Sequence, residues 1–237
     1  MRAEDLLHAA VANNAAWCET VCRSHGYTGE FTTRVWISAR HALPFYPNAI
    51  TLAPDATAAE TGAGQDPARP YAVKDSFARL DLAPEGLRPL FDAEWTARPP
   101  APAGPPEDGL CWAAVTSPGE LAQWETAWAG GSPGPAPLFR PDLLAGSRCA
   151  VLAGRRDGTL AAGAIVYTSA RVTGMSNVFG TGLAAGLLWI SAVQAVAALR
   201  PGLPIVGYES GADLAAARQA GFQVLGPLRV WTRGPAP

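Results

Sequence analysis

The chain has 237 residues, of which 49% are hydrophobic and 16% charged, and its formal net charge is -2. This composition is typical of a folded globular protein and excludes an intrinsically disordered chain. No basic block occurs, so the sequence lacks the electrostatic footprint of non-specific nucleic-acid binding. Lys74 is the only lysine, and with the many Ala, Gly and Pro residues this indicates a GC-rich genome, such as that of an actinobacterium.

The N-terminal segment carries Glu4 and Asp5 and has no apolar core of signal-peptide length. No run of about 18 apolar residues is uninterrupted, so we expect a cytoplasmic protein without a membrane span. The cysteines do not combine with one another or with a histidine pair in a zinc spacing, so we expect buried thiols and no metal site. We expect structural roles for these cysteines and for the three histidines (Cys18, Cys22, Cys111, Cys149, His8, His25 and His41).

The first half of the chain is predicted to begin with a helix over residues 4–25. Apolar residues recur there at steps of three and four, and Gly26 follows as a natural terminator. Alternating β-branched residues predict a strand over 30–38. The later predicted elements are a strand at Ala49–Leu52, a loop over 54–70, and two segments, 76–82 and 87–97, that are compatible with either strand or short helix.

A proline-rich segment over residues 99–109 predicts an extended linker between an N-terminal lobe, 1–98, and a second domain, 110–237. The two parts show a faint internal echo: EGLRPLFDAEWTAR, from Glu85, is similar to AGFQVLGPLRVWTR, from Ala220. The N-terminal lobe is therefore either a degenerate copy of the second domain or an extension on the substrate side.

The second half has a more regular pattern, which predicts the order β-β-β-α-β-α-β after a short helix at Glu120–Trp128. An Asp-Gly pair at Asp157-Gly158 is a strong hairpin signal between the first two strands. The predicted elements are strands at Cys149–Gly154, Leu160–Ser169 and Arg171–Val178, a helix over 183–199, a strand at Pro204–Glu209, a helix at Gly211–Ala220, and a terminal strand or hairpin at Gln223–Thr232.

This half resembles the GNAT superfamily of N-acetyltransferases. The resemblance rests on the strand–Gly-x-Gly–helix sequence around Gly180 and Gly182, and on the Gly221-Phe222 pair before the last strand. It implies an α/β (α+β) fold, with a mixed, mainly antiparallel sheet flanked by helices, in two lobes. It also implies that acyl-CoA, as co-substrate, contacts the loop and the end of the following strand (Asn177, Val178, Phe179, Gly180, Thr181, Gly182 and Ser210).

The glycine loop has a physical rationale as a phosphate site, because glycines allow close backbone approach and a helix N-terminus presents unpaired N–H groups. A plain strand–helix turn is the alternative. No Arg or Lys lies between Ser176 and Leu199, so main-chain dipoles alone would hold the phosphates. We also expect the strand at 205–209 to lie beside the strand that ends near Asn177 and to splay from it.

Two residues at the end of the 205–209 strand are candidates for catalysis, Tyr208 and Glu209. Strand alternation places them on opposite faces, so only one lines the cleft, and Glu209 is the better general base. Ala217 stands where the resembled family often has a tyrosine that protonates the leaving thiolate, and Ser210 stands where an asparagine is usual.

The predicted function is CoA-dependent acyl transfer to a small amine or an amino terminus. The alternatives are a non-catalytic acyl-CoA or partner-binding protein and a two-lobed interaction protein without a nucleotide site.

Overall fold

The computed structural model describes residues 1–38, 43–100, 109–132 and 134–234 of the chain. His41 and most of the predicted linker over 99–109 lie outside this part. The chain forms two compact units: unit 1 contains Met1–Trp95 together with the chain from Leu225 onward, and unit 2 contains Thr96–Val224.

The helices of the described residues are α1 (Ala3–Ser24), α2 (Pro118–Trp128), α3 (Ala185–Leu199) and α4 (Gly211–Gln219), with short 3₁₀ turns at Ala59–Thr61 and Pro141–Leu144. The strands of the described chain are β1 (Glu30–Phe31), β2 (Val35–Ile37), β3 (Ala49–Thr51), β4 (Tyr71–Asp75), β5 (Arg88–Arg98), β6 (Cys111–Ala114), β7 (Cys149–Arg156), β8 (Thr159–Thr168), β9 (Thr173–Gly180), β10 (Ile205–Glu209) and β11 (Gln223–Arg233).

Unit 1 is built on strands in the order β1-β2-β3-β4-β11-β5. Strands β3 and β4 are parallel, whereas β1–β2, β2–β3 and β4–β11 are antiparallel. Helix α1 begins with acidic residues, which favour a helix N-terminus, and it buries a face that includes Val11, Trp17 and Val21. Two side-chain bonds fix the helix on the sheet: Trp36 Nε1 donates to Glu19 at 2.9 Å, and Lys74 Nζ donates to Asn14 at 2.8 Å.

Unit 2 is built on strands in the order β10-β9-β8-β7-β6. Strands β6 to β9 are consecutively antiparallel, and β9–β10 is a parallel pair. Helices α3 and α4 cover one face through an apolar cluster that includes Trp189, Val193 and Phe222. Helix α2 begins at a capping box formed by Ser117 and Glu120, which satisfies free N–H groups at the helix start.

The predicted fold class is confirmed: the chain is a mixed α+β protein with mainly antiparallel sheet flanked by helices. The order of elements from Cys149 onward is also as predicted, with β7, β8 and β9 forming consecutive antiparallel strands. Within the part of the chain that the structure describes, no helix is both long and apolar enough to cross a bilayer.

Several predictions were wrong in detail. The single strand over 30–38 is a hairpin, β1 and β2, because the hydroxyl of Thr32 accepts the main-chain N–H groups of Arg34 and Val35 and closes a turn there. Strand β4 was missed, and the segment 76–82 contains turns. Cys18, Cys22 and Cys149 are buried as expected, but Cys111 is exposed on β6.

Candidate functional site

The parallel strands β9 and β10 of unit 2 separate along their length. Their register pairs are Ile205 with Thr173 and Val206 with Gly174, whereas β9 continues to pair with β8 as far as Gly180. A Cβ on the next residue, Gly207, would lie 2.9 Å from the Met175 carbonyl oxygen, so only glycine allows this close approach. The β9–β10 ladder ends at Val206, as the predicted splay requires, and residues 207–209 of β10 have no register partner on β9.

Strand β9 carries a bulge near its C-terminal end, beyond the last residue that pairs with β10. Gly163 pairs with Phe179 and Ile165 with Ser176, so Asn177 and Val178 both lie opposite Ala164. Asn177 has a positive φ of 54°, in the left-handed region that asparagine tolerates better than most residues. A bulge disrupts the ladder of hydrogen bonds and leaves the extra residue unpaired, which makes main-chain groups available for another partner.

The side chains that follow the bulge point to opposite faces of the sheet. Val178 packs with the apolar clusters under α3. Phe179 packs instead against Trp124 of α2, with ring centroids 5.1 Å apart. Any role of Phe179 at the predicted donor site is therefore a main-chain role, because its ring belongs to the α2 face.

The loop from Gly180 to Ala184 leads directly into α3. A Cβ on Gly180 would lie 2.9 Å from Leu188, and Gly182 has a φ of 69° with open space around it. Ala184 at the N-cap offers no side-chain hydrogen bond to the first turn, so the helix start is uncapped by protein side chains. The main-chain N–H of Thr181 donates to the Ala161 carbonyl at 2.8 Å, so this group of the predicted cradle is already used.

Glu209 lies at the end of β10 and is half-buried. Burial, and then the negative charge of Asp213, raise the pKa of this carboxyl to about 8. Among the described residues none forms a hydrogen bond with the Glu209 side chain. A carboxyl with such a pKa can accept and release a proton near neutral pH, which is what a general base requires.

The neighbours of Glu209 also lie where the sequence predicted. Tyr208 is half-buried, and Ser210 is exposed and forms the N-cap of α4 without a side-chain hydrogen bond to the helix. Glu125 on α2 is another carboxylate of unit 2, and it accepts the main-chain N–H groups of Leu138 and Phe139 at 2.6 and 3.1 Å. Glu125 therefore fixes the loop after α2 and is not available as a base.

An arginine that the sequence analysis did not single out lies at the end of β5. Arg98 donates from Nε to the Ala220 carbonyl oxygen at 2.9 Å. Gln219, the residue before Ala220, places its side-chain oxygen 2.5 Å from the position of a Cβ on Gly186, in the first turn of α3. The signal that could have found Arg98 is the internal echo, in which the final arginines of the two segments, Arg98 and Arg233, correspond.

The remaining groups with metal-binding chemistry are dispersed. Within the described ranges, three or more His, Cys, Asp or Glu side chains do not come together to hold a metal ion. His8 packs against Phe77 with ring centroids 5.6 Å apart, and the main-chain N–H of His25 caps the end of α1. Six of the eight tryptophans are buried (Trp17, Trp36, Trp95, Trp124, Trp189 and Trp231).

Comparison with known proteins gives no match to a family model and none to a curated protein. Solved structures are similar in fold. A GCN5-related N-acetyltransferase from Kribbella flavida superimposes with a TM-score of 0.64 at 18% identity, covering 96% of each chain. The chain has the fold of the GCN5-related N-acetyltransferases.

Two further structures with this N-acetyltransferase fold support the assignment. A GCN5-related N-acetyltransferase-like protein from Streptococcus suis has a TM-score of 0.54 at 14% identity over 97% of this chain and 99% of its own. A putative GNAT acetyltransferase from Novosphingobium aromaticivorans has a TM-score of 0.53 at 16% identity over 93% and 96%. The predicted fold resemblance is thereby confirmed, and it extends over both units.

Within the N-acetyltransferase fold, the place of the usual tyrosine is closed in this chain. Ala217 is fully buried among Ala216, Ala220 and Phe222, and its carbonyl accepts the N–H of Phe222 at 3.1 Å. A proton donor for a leaving thiolate would have to come from another position or from water.

Proposed function

We propose that the chain is a coenzyme A-dependent N-acyltransferase that transfers an acyl group, such as acetyl, from acyl-CoA to a small amine or an amino terminus. The observation that carries the proposal is that the β9–β10 ladder ends at Val206, so that the base candidate Glu209 follows at the same edge of the sheet as the end of β9, the glycine loop and the uncapped start of α3. A thin acyl-pantetheine arm fits between two splayed strands, and a diphosphate suits a helix N-terminus.

The main chain of β9 and its loop would bind the donor. The bulge at Asn177 and Val178 would direct an N–H group towards the thioester carbonyl oxygen, where negative charge develops during acyl transfer. Gly180, Thr181 and Gly182 would follow the diphosphate, with Ser210 on the β10 side of the cleft. Because no side-chain cation is present in residues 172–199, the loop contributes dipoles and close approach and not charge.

The acyl transfer itself needs a neutral amine. In the proposed reaction the amine nitrogen attacks the thioester carbon, the C–S bond breaks, and coenzyme A leaves as a thiolate that takes up a proton. Glu209 accepts the proton that the amine loses, directly or through one water. Its raised pKa makes the carboxylate basic enough for this step. Tyr208 remains the alternative group should the acceptor approach from the other face of β10.

The experiment is a binding and turnover measurement on the full chain. Isothermal titration with acetyl-CoA tests for the donor site, and release of free thiol against a panel of amines and peptide amino termini tests for transfer. We expect binding, and turnover that depends on an amine. Absence of acetyl-CoA binding would refute the proposal and favour an interaction protein without a nucleotide site.

A second function is favoured by one observation. The buried Ala217 removes the usual proton donor, which favours a protein that binds acyl-CoA without turning it over. Acetyl-CoA binding without thiol release, across amines and acyl-CoAs, would identify this case. For either function we propose a cytoplasmic protein, where acyl-CoA is available, with a small-molecule or peptide partner and neither nucleic acid nor membrane.

A further inference from the structure

Glu209 lies on the face of β10 that helices α3 and α4 cover. Side chains alternate along a strand, so Ile205 and Glu209, four residues apart, point to the same face of β10. Ile205 belongs to the apolar cluster formed with α3 and α4, which identifies that face. Glu209 is therefore on the same side of the sheet as Ala217 of α4, the residue at the place of the usual tyrosine.

The Glu209 carboxyl extends back over the end of the β9–β10 ladder. Its Oε1 atom lies 4.0 Å from the position that a Cβ on Gly207 would take, and that position is 2.9 Å from the Met175 carbonyl oxygen of β9. Because Gly207 has no side chain, this space is left to the carboxyl. The carboxyl therefore lies beside the two strands at the point where their pairing ends.

One turn of α4 connects the Glu209 carboxyl with the place of the usual tyrosine. Asp213 and Ala217 are four residues apart, so they are neighbours on one face of α4. The charge of Asp213 acts on the Glu209 carboxyl. Helix α3 and strand β9, which also pack against β10, contain no charged or titratable side chain, and Arg218 of α4 does not act on Glu209.

Acyl transfer to an amine requires two proton transfers. The amine loses a proton as its nitrogen bonds to the thioester carbon, and the coenzyme A thiolate gains a proton as the C–S bond breaks. Ala217 cannot supply the second proton. The first transfer releases one proton and the second consumes one, so a single group that reaches nitrogen and sulfur in turn can serve both.

We propose that Glu209 performs both proton transfers: its carboxylate accepts the proton that the amine loses and then donates that proton to the leaving thiolate. This inference rests on the proposed function and gives the role of the usual tyrosine to a group on the same side of the sheet. The C–N bond forms, the C–S bond breaks, and the carboxylate is regenerated. The reaction therefore needs no second acid or base from the protein.

The ionisation of Glu209 suits a group that both accepts and donates. Burial, and then the charge of Asp213, raise the pKa of this carboxyl to about 8. An ordinary Glu carboxyl has a pKa of about 4.3 and an ordinary thiol one of about 8.5. A carboxyl near 8 therefore holds the proton of the amine far better than an ordinary one and releases it to a thiolate at little cost in free energy.

The first test is the pH dependence of kcat/KM for the wild type with acetyl-CoA and an amine that it turns over. A base and a separate acid give a bell-shaped profile, because one must be deprotonated and the other protonated. A carboxyl that passes on the proton it has received gives an acidic limb near pH 8 and a plateau above it. A descending limb between the plateau and about pH 10 would assign the acid to another group, such as Tyr208, and overturn the double role of Glu209.

The second test compares acetyl-CoA with its selenoester analogue, because a selenolate leaves without taking up a proton. With acetyl-CoA we expect Glu209→Gln to be slower than the wild type by about 10²–10⁴-fold. With the selenoester the loss should be smaller by about tenfold or more, since only the transfer from the amine is then affected. Equal losses with the two donors would mean that Glu209 acts as a base alone.

Two controls separate this role from folding and from the proposed function. Asp142→Asn removes an exposed carboxylate of the same unit and should leave the rates with both donors unchanged. Titration calorimetry with coenzyme A shows whether Glu209→Gln retains the donor site, and the pH profile of the wild type requires no variant. A wild type that releases neither thiol nor selenol with any amine would overturn the proposed function itself, whereas equal losses or a descending limb would overturn the double role of Glu209 alone.

Discussion

The two units share a strand arrangement but connect it differently. In unit 1 the parallel strands β3 and β4 have two register pairs, and in unit 2 the parallel strands β9 and β10 also have two. The connection between the parallel strands is a loop with a short 3₁₀ turn in unit 1 and a glycine loop with the 15-residue helix α3 in unit 2. Neither helix start has a side-chain cap, but only the second of these two connections contains an α-helix among the described residues.

The charged side chains at the strand ends of the two units also differ in how many hydrogen-bond partners they have. Asp75, at the end of β4, accepts the N–H groups of Leu80 at 2.7 Å and Phe77 at 3.3 Å. Glu209, at the end of β10, has no such partner among the described residues.

At these strand ends, Asp75 of unit 1 binds its own backbone, whereas the carboxyl of Glu209 in unit 2 has no hydrogen-bond partner among the described residues. A carboxyl whose pKa is raised by burial is a candidate for a functional site, and Glu209 meets that description. Strands β5 and β11 have equal length and each follows a glycine with positive φ, Gly86 or Gly221, which favours the hypothesis that unit 1 is a degenerate copy of the domain in unit 2. On that hypothesis the donor site was retained once.

The largest expected effect is the loss of acyl transfer when Glu209, one of the two strand-end carboxyls, is replaced. Glu209→Gln keeps the shape of the side chain and removes the proton acceptor, so we expect acyl transfer to slow by about 10²–10⁴-fold with coenzyme A affinity retained. Thiol release under steady-state conditions and titration calorimetry measure the two quantities. Turnover like that of the wild type would move the base to Tyr208.

Asp75→Asn is the matched control in unit 1. The amide directs a donor towards the N–H of Leu80 or Phe77, so the folded state loses about 1–3 kcal/mol of stability. Catalysis at saturating substrate should be unchanged below the melting temperature. Loss of turnover without loss of stability would contradict the assignment of unit 1 to a structural role.

The second expected effect is on stability and concerns Arg233. Arg233→Ala leaves the main-chain carbonyls of Ala63, Asp66, Glu85 and Arg69 without their shared donor, so we expect the free energy of unfolding to fall by about 2–4 kcal/mol. Arg229→Ala, on the same strand, removes an exposed ion pair with Asp92 and should cost less than about 1 kcal/mol. Urea denaturation measures both free energies of unfolding. Equal losses in the two variants would show that the main-chain bonds of Arg233 do not stabilise the fold more than an exposed ion pair does.

The third expected effect is on donor affinity. Gly182→Val places a β-branched residue at a φ of 69°, which such residues tolerate poorly, and we expect acetyl-CoA affinity to fall about tenfold or more, roughly 1.4 kcal/mol. Gly62→Val is the control, because Gly62 has a φ of 70° in the corresponding connection of unit 1. It should lower the melting temperature and leave affinity unchanged. Unchanged affinity in a folded Gly182→Val would make the Gly180–Gly182 loop an ordinary turn.

Much of unit 2 could be predicted from the sequence because its local signals agree with its fold. Asp157-Gly158 marks a hairpin, and Asp157 and Gly158 both have positive φ, as such turns require. The apolar segment after Gly182 is long enough for a helix and is free of proline. The strand order and the position of Glu209 follow from these signals and from the resemblance.

The sequence was less informative where tertiary contacts override local pattern. Strand β4 ends in Lys74-Asp75, a pair that resembles a surface turn, yet both residues are buried because Asn14 and main-chain N–H groups satisfy them. The contact of Arg98 was missed for a related reason, because its partner carbonyl at Ala220 lies far away in the chain. The echo between the two strands contained this information, but only the turns and bonds of the structure show what the two arginines contact.

The last expected effect is the pH dependence of stability at Glu209, and solvent reduces it because the side chain is only half-buried. The folded-state pKa is raised from 4.5 to about 8 by burial and by Asp213, so the folded protein retains a proton that the unfolded chain loses above about pH 4.5. The wild type should therefore lose stability as pH rises from 4.5 to 8, with no further change from this group above 8. Glu209→Gln lacks the titration, so its melting temperature should exceed that of the wild type by a margin that grows across this window.

Melting temperatures at pH 5, 6.5, 8 and 9 measure the margin. Asp75→Asn, whose carboxyl has a pKa raised by burial from a lower starting value, provides the comparison in unit 1. If the difference in melting temperature between Glu209→Gln and the wild type is the same at all four pH values, water solvates the Glu209 carboxylate in the folded state. That outcome would contradict the role of Glu209 as a base whose pKa is raised by burial.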